Sequence, residues 1–388
     1  MNVIYLGCNG FPVGYAQVQK QKMISKALIE AGSAVTVVSY KGVLKNTDKI
    51  KIPYKGEVEG IKYIFTSLSA SRPENFMVRN FMKVLGTVFE FFTIILKTAG
   101  RRKSVAIITT NSLRRLIYYR CLLKILNCKV VFSYEEFWQS TFGTGDAGSF
   151  KNKLDQLAGK YCDAILPISD FLAAYQKNIN KSVKLFKLPT LADFDLIDAI
   201  DGGERVDRIL FCGASAYIET IEFIIDAFRL VEHNDIKLML IIHGDAAQNE
   251  KISGLVRRSG KGDKIQIQSG LPYEQLIRLY KSSRLLLIPL RPVQRDEARF
   301  PHKISEYTAS KTPFVTTAVG EVNTYFADGE NAYIAKDFNA QAYAGKIMFA
   351  LDNPQLSQRI ANNAYNLGRA NFDYKSISKS LDSFLNLI

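Results

Sequence analysis

Two runs of alternating strand and helix signals, separated by one polar stretch, constrain this chain more than any other feature. Residues 2–8, NVIYLGC, form a short β-branched apolar run that reads as a buried strand. The segment GFPVGYAQVQKQ follows. Next comes a helix with apolar Met23, Ile24, Ala27, Leu28 and Ala31, stopped by Gly32. AVTVVS at 34–39 is the next strand, and a β-loop-α-β unit with a right-handed crossover makes a parallel pair. Further strands are predicted at 61–66, 105–109, 129–134 and 164–168, with helices at 76–98, 112–126 and 151–161. The alternation stops near KLPTLADFD at 187–195, and residues 196–207, with Gly202-Gly203, read as a linker. It restarts with RILFCG (208–213), then a helix at 219–232 and the strand KLMLII (237–242). Helices at 247–258 and 273–282 and strands at 264–268 and 284–289 continue it. A helix at 302–310, a strand at 313–317 and a helical tail complete it. The expectation is α/β, with two doubly wound domains.

Composition narrows the function. No apolar run approaches the ~18 residues of a membrane span; the most apolar window, 81–100, is broken by Lys83, Glu90 and Lys97. The opening MNVIYLG lacks the basic start of a secretory signal. Five cysteines (Cys8, Cys121, Cys128, Cys162, Cys212) without a C-x-x-C pair suggest buried thiols in a reducing cytoplasm. With three histidines (His233, His243, His302) and no zinc spacing, no metal site is expected. Dinucleotide, P-loop and G-x-S-x-G fingerprints are absent, and so is any motif that would make nucleic acid a partner. The net charge of +14 lies wholly in residues 1–195. Residues 72–129 hold 12 basic and 2 acidic side chains, so this half is expected to face something anionic. A merely solvated basic surface is the plain alternative.

Two motifs could hold a ligand. The loop Gly10-Phe11-Pro12-Val13-Gly14-Tyr15 joins the first strand to the first helix, where glycines and free N–H groups suit an anion or simply make a turn. FPHKISEY (300–307) places His302, Lys303 and Glu306 near a helix start; Lys303 and Glu306 share a face, as an exposed helical ion pair also would.

At this point a family comes into view. FPHKISEYTASKTPFVTTAVGEVNTYFADGENAYIA (300–335) resembles the donor-binding signature of GT-B glycosyltransferases, particularly glycosyltransferase family 4. HGDAAQ (243–248), IQIQSGLPYEQLIRLYKSSRLLLIPL (265–290) and FCGASAYIETIEFIIDAF (211–228) are similar to further family segments in the same order. The resemblance covers 206–372 and implies two Rossmann-like domains facing across a cleft. Residues 1–200 would bind the acceptor and 205–372 a nucleotide diphosphate sugar, UDP- or GDP-linked. Residues 373–388 would form a helix crossing back to the first domain. It implies metal-independent sugar transfer, without a cofactor, to a lipid-linked or saccharide acceptor in bacterial surface polysaccharide synthesis. The chain also departs from the family. The first of the family's two glutamates should fall at Ala298, with Glu297 one residue off, and the usual Arg and Lys of the diphosphate clamp read Ala214 and Glu219.

The resemblance assigns donor contacts to Lys303 (diphosphate), Glu306 (ribose), Gly14, Val319, Gly320 and Glu321. Strand 129–134 should end at the ligand edge, which puts Glu135 and Glu136 near the acceptor hydroxyl. Two adjacent carboxylates should raise one pKa toward a base's range. Glu136 is the favoured base and Glu135 the alternative; either could instead cap a helix. Residues 72–103 combine Phe76, Met77, Phe81, Met82, Val84 and Leu85 with Arg72, Arg79, Lys83, Lys97, Arg101, Arg102 and Lys103. That mixture suits a helix lying on the anionic inner face of the cell membrane. A GT-B protein that has lost catalysis and serves as a binding or scaffold subunit is the competing reading, and a GT-B epimerase a third.

Overall fold

Strand β1, Asn2–Leu6, is buried at all five positions, as a central parallel strand must be. The computed structural model describes residues 1–7, 10–14, 16–44, 51–100, 103–141 and 153–388. Cys8, Tyr15, Arg101 and Arg102 lie outside the described residues, as do the first two residues of the helix expected at 151–161.

Two compact units are present: Met1–Leu191 with Tyr374–Ile388, and Ala192–Asp373. In the N-terminal unit helix α1 (Ala16–Glu30) precedes β2 (Ala34–Ser39), β3 (Lys55–Val58) and β4 (Ile61–Phe65). Then come α2 (Phe76–Thr98), β5 (Ser104–Ile108), α3 (Leu113–Ile125) and β6 (Lys129–Tyr134). Short helices α4 (Trp138–Thr141) and α5 (Lys153–Leu157), β7 (Ala164–Pro167), α6 (Asp170–Ile179) and β8 (Lys184–Leu185) complete the main run. The sheet order is β3-β4-β2-β1-β5-β6-β7-β8, with only β3–β4 antiparallel. The edge strands β3 and β8, four and two residues long, are too short for sequence periodicity to register.

The C-terminal unit begins with α7 (Phe194–Ala199), β9 (Val206–Ala214), α8 (Ile218–Arg229), β10 (Lys237–His243) and α9 (Ala246–Arg258). It continues with β11 (Ile265–Gln268), α10 (Tyr273–Lys281), β12 (Ser283–Ile288), α11 (Gln294–Ala298) and α12 (His302–Ala309). Strand β13 (Phe314–Thr317), α13 (Val322–Tyr325), β14 (Tyr333–Ala335), α14 (Ala340–Asp352) and α15 (Pro354–Asn371) follow. Its all-parallel sheet runs β11-β10-β9-β12-β13-β14. The division between the units therefore falls at Leu191–Ala192, earlier than the expected boundary at 200. Residues 196–199 are not linker but the end of α7, whose Asp193 side chain caps Leu196 N–H at 3.0 Å and whose Phe194 and Ile197 are buried.

Helix α16 (Tyr374–Leu387) belongs to the N-terminal unit and packs on α1. Ser33 Oγ donates to Asp382 at 2.9 Å, and Phe186 and Phe384 rings meet at 5.3 Å.

Helix α2 lies against its sheet through Gly86. Thr66 Oγ1 donates to Gly86 C=O at 2.7 Å, and a Cβ at residue 86 would stand 1.9 Å from Tyr40 C=O. Alanine is the better helix former by about 1 kcal/mol, but here the close approach wins. Gly86→Ala is expected to destabilise by about 1–3 kcal/mol, measured as a lower urea midpoint; an unchanged or higher midpoint would show that α2 can move aside freely.

Candidate functional site

In the C-terminal unit every strand is parallel, so the loops after β9, β10, β12 and β13 gather at one edge of the sheet, where open α/β sheets hold ligands. Ser215 N–H donates to His243 C=O at 2.9 Å and ties the first two loops together. Thr317 Oγ1 takes Leu290 N–H at 2.8 Å and ties the last two. Gly320 adopts φ +55°, and a Cβ there would meet Glu297 C=O at 2.7 Å. The Val319-Gly320-Glu321 turn is thus seated directly on α11, with Glu321 2% exposed.

Helix α12 supplies Lys303 and Glu306. Lys303 Nζ donates to Glu306 Oε2 at 2.9 Å, and His302 Nε2 stands 3.7 Å from Oε1. Glu306 is 1% exposed and Lys303 21%, so this is a largely buried pair and not the exposed helical pair that spacing alone favours. Burial opposes the Lys303 charge, but Cys212 and Glu306 outweigh it and hold the ammonium above its ordinary value. Burial and then Lys303 push the His243 imidazolium down. Burial, followed by Glu306, pushes the Tyr273 phenol well up, so it stays a donor.

The cations that sequence reasoning missed come from the β12–α12 connection. Arg291 binds Asp296 through its N–H (2.9 Å) and Nε (3.1 Å), and also pairs with Glu219. Arg299 pairs with Asp296 at 3.0 Å. Arg295 and Arg299 stand 5.3 and 4.5 Å from the Tyr217 ring centroid. Glu219 therefore does not bring an unmatched negative charge to this edge. The signal was present as arginine at every fourth position in RPVQRDEAR, just after β12. Ala298 is fully buried, and Glu297 is exposed with its backbone packed against Gly320.

In the N-terminal unit Glu135 and Glu136 follow β6. Asp155, buried, takes Tyr134 O–H at 2.8 Å, Gln139 N–H at 2.8 Å and Trp138 N–H at 3.3 Å, which pins the loop that carries both glutamates. Glu135 accepts from Ser133 Oγ at 2.9 Å and lies 3.5 Å from Lys20 Nζ. Lys20 is buried, and burial pushes its ammonium down despite Glu135 and Glu136. The two like charges are thus met by an opposite one, a lysine on α1. Lys20 lies among α1's buried positions, where a lysine is a signal in itself. Gly14 lies at the start of α1, and a Cβ there would run into Val18. Among the described residues no group of three His, Cys, Asp or Glu could hold a metal.

Two parallel-sheet Rossmann-like units in one chain define the GT-B fold. Residues 199–367, most of the C-terminal unit, match the family described as glycosyl transferases group 1. The alpha-D-kanosaminyltransferase of Streptomyces kanamyceticus is 22% identical over 173 residues, which cover 45% of this chain and 44% of that protein; the chain thus matches less than half the length of this relative. Sucrose-phosphate synthase from Thermosynechococcus elongatus superposes with TM-score 0.76 at 16% identity, covering 100% of this chain and 98% of that one. Anabaena HepE in complex with UDP-glucose gives 0.71 at 12%, with 100% of both chains covered. A glycosyltransferase from Rickettsia africae gives 0.70 at 16%, covering 100% and 98%.

Removing one partner of a buried pair leaves the other charge uncompensated. Lys303→Ala is expected to cost about 3 kcal/mol in chemical denaturation. The double change Lys303→Met with Glu306→Leu should restore most of that; if it does not, the pair is not what stabilises α12.

Proposed function

We propose that this protein is a glycosyltransferase that moves a sugar from a nucleotide diphosphate sugar, UDP- or GDP-linked, to an acceptor hydroxyl. The observation that carries the reading is the largely buried Lys303–Glu306 pair, which follows the three arginines of the β12–α12 connection, at the ligand edge of a domain matched to glycosyl transferases group 1. Anabaena HepE, similar in fold, was solved with UDP-glucose, which supports a donor of this class.

Glu306 accepts hydrogen bonds from the ribose hydroxyls, and Val319, Gly320 and Glu321 border the nucleotide. Lys303 and the guanidiniums of Arg295 and Arg299 offset the diphosphate charge, replacing the cations missing at Ala214 and Glu219. As the bond between the anomeric carbon and the diphosphate oxygen breaks, its electron pair goes to the leaving diphosphate. Fixed cations aimed there stabilise that charge without a metal. Gly14, at the start of α1, stands on the phosphate side. The acceptor oxygen forms the new bond to the anomeric carbon and gives its proton to Glu136. Glu135, engaged with Lys20 and Ser133, is the alternative base. In-line attack of this kind inverts the anomeric centre. A catalytically lost scaffold remains the second reading, favoured by the Ala214 and Glu219 departures; it predicts nucleotide binding without turnover.

The acceptor is lipid-linked, the process is surface polysaccharide synthesis, and the enzyme sits on the anionic inner face of the membrane. No helix among the described residues is long and apolar enough to cross a membrane. Helix α2, however, exposes Phe76 (67%), Met77 (79%), Phe81, Val84 and Phe92. Arg72, Arg79, Lys83 and Lys97 stand beside them, which supports attachment at an interface.

Glu136→Gln is expected to lower turnover by about 10²-fold or more while nucleotide affinity, read by calorimetry, stays unchanged. Near-normal turnover in both Glu136→Gln and Glu135→Gln would eliminate this base. In vesicle sedimentation, binding should rise with anionic lipid content and fall as salt is added. Phe76→Ser with Phe81→Ser should weaken it on every vesicle type. Equal partitioning to neutral and anionic vesicles would count against the electrostatic part.

A further inference from the structure

A cavity of about 290 Å³ lies in the N-terminal unit, apart from the loops after β6 and α1 that carry the proposed base. Its walls come from three segments: Lys41, Gly42 and Val43 after β2; Ser67, Ser71, Arg72 and Pro73 after β4; and Arg79, Met82 and Lys83 on α2. Four of these ten residues are cations and none is acidic.

The cavity is built by the backbone. Val43 and Leu44 N–H groups both donate to Ala70 C=O, at 2.8 and 3.0 Å, and Arg72 N–H donates back to Leu44 C=O at 2.7 Å. Leu44 and Ser71 form a parallel bridge. Asn75 caps α2 by accepting from Met77 N–H (2.9 Å) and Val78 N–H (3.2 Å), which fixes where Arg79 and Lys83 emerge.

Among the described residues none of the four cations has a carboxylate partner. Lys41 Nζ lies 5.3 Å from the Tyr40 ring centroid and Arg79 Cζ 5.6 Å from that of Phe76. Arg79 Nη1 donates to Glu74 C=O at 3.3 Å, and Lys83 Nζ reaches only the amide oxygen of Asn80, at 3.5 Å. Other cations of this unit do meet carboxylates: Lys22 and Lys26 with Glu59, Arg120 with Asp163 and Lys187 with Asp170. Four converging unpaired cations, two of them on a capped helix, repel one another unless an anion sits among them. Two guanidiniums and two ammoniums suit a phosphate, which takes several charge-assisted hydrogen bonds at once.

The cavity also adjoins the apolar face of α2. Met82 lines its wall and is one helical turn from exposed Val78, two from exposed Phe89. A ligand with its phosphate among Lys41, Arg72, Arg79 and Lys83 can lay an acyl or prenyl chain along that face. A free inorganic anion leaves the apolar face unused.

We propose that the cavity bounded by Lys41, Arg72, Arg79 and Lys83 binds the phosphate or diphosphate group of a lipid whose chain lies along the exposed face of α2. This rests on the membrane reading above and deepens it from attraction to an anionic surface to recognition of a terminal phosphate.

The test compares phosphatidylcholine vesicles doped with phosphatidate or with phosphatidylglycerol at matched surface potential. A general surface attraction treats the two alike; the cavity prefers the terminal phosphate of phosphatidate. The full chain should bind phosphatidate vesicles several-fold more tightly. Arg72→Gln with Lys83→Gln should abolish that preference, bringing the two vesicle types to equal affinity. Lys62→Gln with Lys181→Gln removes the same charge from exposed positions outside the cavity and α2 and should leave the preference intact. Equal binding to both vesicles, or loss of preference in the control pair as well, overturns the proposal. Titration with water-soluble dihexanoyl phosphatidate and with inorganic pyrophosphate separates the sources. Cavity-dependent binding of the short-chain lipid without any vesicle binding would sink the membrane reading and keep the phosphate site. Equally tight binding of pyrophosphate would overturn the lipid assignment. Circular dichroism on each variant excludes unfolding as the cause.

Discussion

A sheet of parallel strands must be covered on both faces, because crossover helices return on both sides. Polar chemistry is thereby pushed to the strand ends, and in this chain everything of functional interest follows from that. Strands such as β1, β5 and β7 are buried throughout. They cannot host charged groups. The loops after β6, β9, β10, β12 and β13 host them instead, and the carboxyl-end rule brings these distant stretches together within each unit.

The C-terminal unit shows how a departure from a family pattern can be offset by neighbours distant in sequence. Glu219, which alone would repel a diphosphate, is matched by Arg291. Asp296, fully buried, holds Arg291 and Arg299 in fixed positions. A buried carboxylate between two guanidiniums is costly unless its hydrogen bonds are made; the outcome is a rigid arginine array facing Tyr217. Lys303 and Glu306 obey the same logic on α12, where each neutralises the other.

The N-terminal unit follows it at Glu135 and Glu136. Asp155 organises their loop through main-chain N–H groups, and Lys20 supplies a buried positive charge beside them. Helix α2 is the exception to burial. It is held to the sheet along a narrow strip at Gly86, Glu90, Ile94 and Thr98 and leaves most of its apolar side chains exposed. Glu90 on that strip is stabilised by Arg115 at 2.6 Å and Tyr119 at 2.9 Å, so the strip is anchored by a polar contact and not by apolar area alone.

Much of this was legible in the residues. The strand at 34–39, the strand at 129–134 and the helix at 76–98 fall where periodicity put them. The helix is 23 residues long, and the two strands are apolar runs that burial imposes. The edge strands β3 and β8 were not legible, because four and two residues are too few to show a pattern, and α7 makes less than two helical turns. Lys303 and Glu306 could be named from spacing, but their burial could not: whether an i, i+3 pair faces water depends on what packs over α12, here Tyr280 of α10. Likewise the sequence contains Lys20, Arg291, Arg295 and Arg299, yet only the fold sets them beside Glu135, Asp296 and Tyr217. Local order was determined by the chain alone, since it depends on neighbours a few residues apart. Which charges meet was decided by tertiary structure, since it depends on strand order and on loops that converge from distant parts of the sequence.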